Sequence, residues 1–429
     1  MLATLRQRNF FLLWLGGLIS ITGSWMIFMA LPLYVYSLTN STLATSIMFV
    51  AGTAPKLLFG SFAGVFVDRW DRKYILIITN LLFAIVLMPL LLVQSVEWLW
   101  LVYIVQFIQA TISIFSSPAE DALLPNLVDR QHLAAANSLN ALNNSIAGLI
   151  GPPLGGIILV QFGLAGILLF DAASFLIAGA LIVFITMPHK PKRRPANVSA
   201  TSVGHMWTSF WREWLDGLSF IYRQPLVSFI FLMMAIVSLG LSIFSTLFFP
   251  FASEVLRGSP VEIGWLMAAQ AVGGLVGSVI VSQISRLGSI YRLLGSSTLA
   301  LGVIDLALFN YSTFFPGVIN GLGLMFLTGA PGIINITCVG ILLQTLVADE
   351  YRGRVFATLG TTSALVGVIG ILLAGTLGDR IGIVALLNVQ GFSFILVGAI
   401  VLFRFFSGSF TPKDQLKDSP VRVAEEGAV

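Results

Sequence analysis

Lys56, Asp171 and Asp305 each stand inside a run of apolar residues long enough to cross a bilayer. An ionisable side chain at mid-membrane costs about 3 kcal/mol or more, so each needs a partner, a hydrated cleft or a task. A buried carboxylate can take up and release a proton, or serve as a hydrogen-bonded strut. Lys56 lies too deep to reach either surface easily, which leaves it a carboxylate partner, a hydrated cleft or an anionic substrate. Other chemistry is missing from the pattern. Cys338 is the only cysteine and sits in an apolar run, which excludes an intrachain disulfide or a cysteine metal cluster, and His132, His189 and His205 are scattered. The chain has no Gly-Lys pair and hence no phosphate-binding Gly-x-x-x-x-Gly-Lys-Ser/Thr loop, no His-Glu-x-x-His and no Gly-x-Ser-x-Gly. No metal, no cofactor and no enzymatic activity are expected.

The elements that hold these charges are membrane spans. A mean hydropathy of +0.94, with 57% hydrophobic and 10% charged residues, leaves too little polar surface for a water-soluble globule of 429 residues. About 20 apolar residues cross the hydrocarbon as a helix. Such runs fall near 10–36, 43–66, 74–95, 98–117, 139–161, 164–187, 226–250, 262–284, 292–311, 317–346, 355–377 and 383–406. The first, after Arg6 and Arg8, is too long for a cleaved leader and reads as an uncleaved span. The fold class expected is therefore an all-α membrane protein of twelve spans.

An even number of spans puts both termini on one side. Arg6, Arg8, Arg69, Arg72, Lys73, Arg130, Lys190, Lys192, Arg193, Arg194, Arg212, Arg223, Arg286, Arg292, Arg352, Arg354, Arg404, Lys413, Lys417 and Arg422 share that side, against Arg257 and Arg380 on the other. The positive-inside rule makes the basic side cytoplasmic, in an inner (plasma) membrane. The net charge of +4 is thereby explained without nucleic acid; the bilayer is the partner the basic clusters fit.

The spans divide into two halves, 1–187 and 226–406. Residues 188–225 between them open with Pro188, Pro191 and Pro195 among basic residues, a linker, and continue with Trp207, Trp211, Trp214, Leu215 and Leu218 at helical spacing, which suits a helix lying in the headgroups. The polar tail, 407–429, has no periodicity and is expected to be disordered. A shift of 219 residues superimposes the halves without a gap from Leu124 to Ala180. Gly148, Gly151, Gly156, Gly163 and Gly179 then fall on Gly367, Gly370, Gly375, Gly382 and Gly398. Two six-helix repeats suit a transporter whose halves rock around a midplane site. The three buried charges are not repeated: Gln390 stands opposite Asp171.

After the second span the chain reads Gly64-Val65-Phe66-Val67-Asp68-Arg69-Trp70-Asp71-Arg72-Lys73, which resembles the signature loop of the major facilitator superfamily. The resemblance implies a latch between the halves, in which Asp68 meets the start of the eleventh span and Arg72 meets a carboxylate. Asp71 stands where the family usually has glycine. In the fifth span Gly151-Pro152-Pro153-Leu154-Gly155-Gly156 is similar to the motif of the superfamily's exporters, with Ala147 in place of its leading glycine. Ser117-Pro118-Ala119, Leu124-Pro125-Asn126-Leu127-Val128 and Asp171-Ala172-Ala173-Ser174-Phe175 resemble the branch of enterobactin exporters and macrolide efflux pumps. Where many of that branch carry aspartate in the first span, this chain has Ser24.

The resemblance implies two pseudo-symmetric six-helix bundles working as a monomer, export of small amphipathic molecules such as a drug, macrolide or siderophore, and protons as the coupling ion; a lysophospholipid or nutrient transporter is the alternative, and an integral-membrane enzyme a distant one. It places Asp171 and Asp305 on outer helices, which favours structural carboxylates, and makes the first, fourth, fifth, seventh, tenth and eleventh spans the cavity wall. On them Trp25, Phe28, Met29, Gln106, Gln109, Asn140, Asn144, Phe244, Phe248 and Asn335 are the candidates to touch a small-molecule substrate. Helix packing is the alternative role for each.

Overall fold

The computed structural model describes residues 2–67, 70–186, 203–284, 290–315 and 317–407. Among them there is no strand. After a single turn, Leu2–Leu5, the first half contains α1 (Arg8–Thr39), α2 (Thr42–Val67), α3 (Arg72–Leu87) and α4 (Leu99–Leu123). It ends in a helical segment, Leu133–Val183. The second half contains α8 (Pro225–Pro250), α9 (Pro260–Ile284), α10 (Ile290–Asn310), α11 (Ile319–Leu346), α12 (Asp349–Ile381) and α13 (Ile383–Phe406).

At 1.5 Å per residue the segment Leu133–Val183 is far longer than the roughly 30 Å of hydrocarbon. It is broken at Gly163, where φ is 65° and ψ −169°. Its first arm runs parallel to α1: Trp14 Nε1 donates to the Leu139 carbonyl, while further along a Cβ on Gly155 would stand 3.0 Å from the Cα of Met26. Its second arm runs antiparallel, with Gly16 against Ala178 and Gly23 against Ser174. The segment is thus a hairpin of two spans, α5 (133–162) and α6 (164–183), and the spans among the described residues number twelve, as expected. The counterpart of Gly163 is Gly382, between α12 and α13, with φ 100° and ψ 143°. Both glycines occupy backbone that L residues rarely adopt, and each reverses the chain at the matching place in its half.

Several span boundaries differ from expectation. α3 ends at Leu87 and tightens into a 3-10 stretch, Met88–Leu92, because Pro89 supplies no backbone donor. α4 runs through Pro118 to Leu123 rather than stopping at 117, and α12 begins at Asp349 rather than 355. Between the halves lies α7 (Val203–Tyr222). It packs on α12, with Trp214 Nε1 donating to Thr362 Oγ1 at 3.2 Å and Gly217 against Thr358, while Leu215 stays exposed.

One end of the bundle carries Arg8, Arg72, Lys73, Arg130, Arg223, Arg292, Arg352 and Arg404 and is here the basic end; Gly163 and Gly382 mark the far end. The core is divided accordingly. A single far-end cluster joins both halves, from Met26, Met29 and Leu33 of α1 to Leu247, Phe249, Leu266 and Leu387. Toward the basic end the clusters separate: Leu13, Ile75, Leu123 and Ile182 pack within the first half, and Phe231, Leu294, Leu343 and Val397 within the second. The halves therefore meet at the far end and have separate cores at the basic end.

Replacing Gly163 or Gly382 by alanine places a Cβ in this glycine-only backbone region, at an expected cost of about 1–3 kcal/mol each. Gly323 in α11 has open space at its Cβ position, and its alanine variant should be neutral or slightly stabilising. Thermal unfolding of the detergent-purified variants checks the contrast.

Candidate functional site

The junction between the halves is built where glycines let backbones touch. On α5, Gly151 and Gly155 pack against α1: a Cβ on Gly151 would stand 2.6 Å from the Cβ of Trp25. On the same helix Gly156 faces α9 of the other half, where a Cβ would stand 2.8 Å from the Cα of Val261. Gly264 answers it one turn on, against the Pro152 backbone and 2.8 Å from the Cα of Pro153. The proline pair thus lies on the α5–α9 contact, and Pro152 frees the backbone of one donor there. The second junction uses the repeat counterpart of Gly156. Gly375 on α12 lies against Leu43 and Ser46 of α2, and a Cβ on Gly378 would meet Thr42 Oγ1 at 2.7 Å.

Polar groups close the far end over these contacts. Asp379 at the end of α12 receives the Thr42 backbone N–H at 3.0 Å, the Thr42 hydroxyl at 2.7 Å and the Ser41 hydroxyl at 3.1 Å. It thereby caps the N-terminus of α2 from the other half, as a carboxylate should at the positive end of a helix. The Tyr36 hydroxyl of α1 donates to Glu254 at the end of α8. A further bond across the halves runs from the Thr42 hydroxyl to the Gly375 carbonyl at 3.0 Å. Neither Asp379, Glu254 nor Tyr36 was singled out by the sequence. Nothing in the sequence signalled that the cap of α2 comes from 337 residues away.

Beneath the junction lies an aromatic cluster. Phe28 makes edge contacts with Trp25 at 5.4 Å, Phe49 of α2 at 6.3 Å and Phe249 of α8 at 6.1 Å, and it is still 41% exposed. Phe244 lies 5.4 Å from Phe248 and 6.1 Å from Phe309. Lys56 follows Phe49 by seven residues, two turns on, and so shares its face of α2. It is exposed, has no ion pair among the described residues, and sits between Gly52 and Gly60 on that face, where Gly52 has open space.

The remaining candidates separate. Gln106, Gln109 and Asn140 are half-buried and Asn144 is exposed. Met29 and Phe248 are packed into the far-end core, so in this conformation they support the wall instead of forming it. Asn335 turns to α10, donating to Thr298 Oγ1 at 2.6 Å, a helix-packing bond rather than a cavity position. Asp171 is buried against Gly23 of α1 and takes a long 3.3 Å bond from the Ser174 hydroxyl. Asp305 is buried and accepts from Gln390 Nε2 at 2.8 Å, so the repeat counterpart of Asp171 is the partner of the other aspartate.

Comparison with known proteins fits this geometry. The Major Facilitator Superfamily profile matches residues 13–371. The chain belongs to that superfamily. It is 27% identical over 386 residues to macrolide efflux protein A of Streptococcus pyogenes, covering 88% of this chain and 91% of the relative. It is 24% identical over 403 residues to the enterobactin exporter EntS of Escherichia coli O139:H28, covering 90% and 89%. Its fold matches a bacterial homologue of the iron transporter ferroportin in an inward-facing state, with a TM-score of 0.69, 18% identity and coverage of 92% and 98%. This major facilitator protein is accordingly a membrane transporter and not an enzyme, as expected.

The superfamily's signature loop is partly in view. Gly64 lies in α2, whereas Asp68 and Arg69 lie outside the described residues. Asp71, the departure from the family pattern, caps α3 by accepting from the Lys73 N–H at 2.9 Å. Arg72 differs from its expected role. Its Nη1 donates to the Ala122 carbonyl at 2.8 Å, and Lys73 Nζ donates to the carbonyls of Val183 and Ile185 at 2.9 and 2.8 Å. Both cations hold the negative ends of α4 and α6 within their own half, where a helix terminus attracts them as a carboxylate would.

Asp379→Ala removes the cross-half cap while leaving the glycine contacts. In a Cys338→Ser background with Phe28→Cys, a membrane-impermeant maleimide added from the far side should label the cysteine several-fold faster when Asp379 is replaced. An unchanged rate would show that glycine packing alone closes that end.

Proposed function

We propose that this transporter exports small amphipathic molecules by alternating access in exchange for protons, as a monomer in the inner membrane with both termini cytoplasmic. The observation that carries the reading is the pairing of one far-end core shared by the two halves with separate cores at the basic end. This is the arrangement of a cleft that fills from the basic side. Basic residues retained in the cytoplasm make that side the inner one. Movement of the far-end junction would then present the same aromatic wall to the outside.

The wall suits bulky apolar bodies. Phe28, Phe49 and Trp25 offer ring faces and edges, with the amides of Gln106, Gln109, Asn140 and Asn144 on neighbouring inner helices. Such a surface gives broad selection by shape and few directional bonds. Lys56, exposed and without an ion pair among the described residues, supports a preference for substrates bearing an anionic or strongly accepting group. Relatives whose names specify macrolide and enterobactin export support the outward direction. Asp68 is assigned the inner latch, closing against the start of α12 when the cleft shuts.

Expression in a bacterium deleted for its own efflux pumps should raise tolerance to erythromycin and lower its accumulation, with both effects lost on adding an uncoupler. Accumulation unchanged across erythromycin and a panel of anionic and cationic amphiphiles would overturn the exporter reading. Asp68→Asn should reach the membrane in normal amount yet lose most transport, measured as efflux rate per copy; full activity would remove the inner latch.

A further inference from the structure

The position of Lys56 on α2 narrows what the cleft takes. At 1.5 Å per residue it stands about 21 Å from Thr42 at the far end of α2 and about 17 Å from Val67 at the other. That is the middle of the hydrocarbon. Around the helix, its direction follows from the contacts on either side. Ser46 packs on Gly375 of α12, and Phe59 lies 6.3 Å from Phe107 of α4. At 3.6 residues per turn Lys56 falls between these two contacts, opposite the exposed apolar residues Ile47 and Leu58. Lipid takes the apolar side of the helix, so the exposure of Lys56 on the other side is exposure to the cleft.

There is room beside it. Gly52, one turn toward the far end, has nothing within 4 Å of its Cβ position, and at Gly60, one turn the other way, that position meets only Lys56 Cγ, at 4.0 Å. Seven residues toward the far end on the same face, Phe49 meets Phe28, whose ring also touches Phe249 of the other half. These rings stand about 10 Å from Lys56 along the helix axis.

Among the described residues no acid supplies a counter-charge. Asp171 and Asp305 are enclosed, bonded to Ser174 and Gln390. Glu120 and Asp121 lie on α4 about 20 Å beyond Phe107, toward the basic end. Glu254 and Asp379 are engaged at the far end by Tyr36 and by Ser41 and Thr42. Lys56 makes no ion pair, and Asp68 lies outside the described residues. A cation at mid-membrane with open space beside it and no acid at its depth is short of an anion.

We infer that Lys56 is the anion-binding point of a two-part substrate site. The carboxylate, sulfonate or ionised phenol of an amphipathic substrate docks at Lys56 Nζ, and its apolar body lies about 10 Å away against Phe28 and Phe49. A cation of the same shape meets a like charge and keeps only the ring half of the site. Lys56 thus selects by charge where the rings select by shape. The inference deepens the export reading and rests on it for the claim that the ligand is carried outward; binding itself does not depend on direction.

A Gly52→Cys substitution in a Cys338→Ser background reports occupancy without transport, since position 52 has space for the thiol. The purified protein in phosphatidylcholine nanodiscs is labelled with N-ethylmaleimide in the presence of phenylhexanoate, phenylhexanol or phenylhexylamine, which share one body and differ in charge. The carboxylate should halve the labelling rate at about tenfold lower concentration than the alcohol, the scale of one charge-assisted bond, and the amine should protect least. With Lys56→Gln the three should protect alike, and Lys56→Arg should restore the order. Phe28→Ala should weaken all three by a common factor. Equal protection by the three in the parent protein, or an anion preference that survives Lys56→Gln, would overturn the inference. So would equal protection by potassium phosphate, which makes a free inorganic anion the occupant. A ligand-free labelling rate that falls in phosphatidylglycerol nanodiscs, and only while Lys56 is present, would overturn it in favour of a lipid headgroup. Protection in the expected order with no export of phenylhexanoate or erythromycin from proteoliposomes would sink the export reading and leave the site standing. Erythromycin export without that order would do the reverse.

Discussion

Backbone-to-backbone contact at the far end is the constraint from which the remaining arrangement follows. Lipid supplies no hydrophobic drive between helices, so spans associate through close packing and the polar bonds it permits. Gly156 against Val261, Gly264 against the Pro152–Pro153 backbone, and Gly375 and Gly378 against α2 give that closeness at two places on opposite sides of the molecule. A side chain at any of them would hold the halves apart. With the halves fixed there, the apolar core is shared at the far end and divides into separate clusters toward the basic end. The aromatic cluster around Phe28 lies where rings from both halves touch and one of them, Phe28, stays partly exposed.

The two junctions share their glycines but differ in their hydrogen bonds. At α9 the helix start is self-contained: Glu262 Oε2 accepts from the Ser259 N–H and hydroxyl at 2.8 Å, a capping box closed within one half. At α2 the corresponding start has no acidic residue in its first turn and takes its cap from Asp379 across the interface. A hydrogen bond to a charged group contributes about 1.5–3 kcal/mol when buried, and less for a carboxylate as exposed as Asp379. The three bonds together are thus on the scale of a conformational bias, a few kcal/mol, and not of a permanent weld. A junction of that strength can hold one state and still let go.

Periodicity and repeat were legible because they depend on composition spread over many residues. The gapless shift of 219 placed Gly163 and Gly382 in register, and the structure gives both the same task at a chain reversal. Residues whose role depends on the partner helix were not legible. Asn335 looked like a cavity amide and instead bonds Thr298; Arg72 looked like half of an ion pair and instead holds a helix end. Asp379 carried no signal, because its meaning lies in Thr42, on the other half. The fourth span was read short because its apolar run stops near 117, whereas α4 continues through Pro118 to Leu123.

The polar groups inside the bundle sort by what surrounds them. On α6 and α10 the two aspartates are fully enclosed, each with a side-chain partner from its own half: Ser174 for Asp171, Gln390 for Asp305. Neither has contact with the cleft, so a change of charge there would have to break packing before it could be felt between the halves. Lys56 stands differently, exposed on α2 with no ion pair among the described residues. Charge that is to respond to a substrate or a proton must be both reachable and incompletely satisfied, because a fully paired group has nothing to gain from a new partner. By that criterion the enclosed aspartates belong to the packing of their own halves, and Lys56 is a group that can still take a new partner.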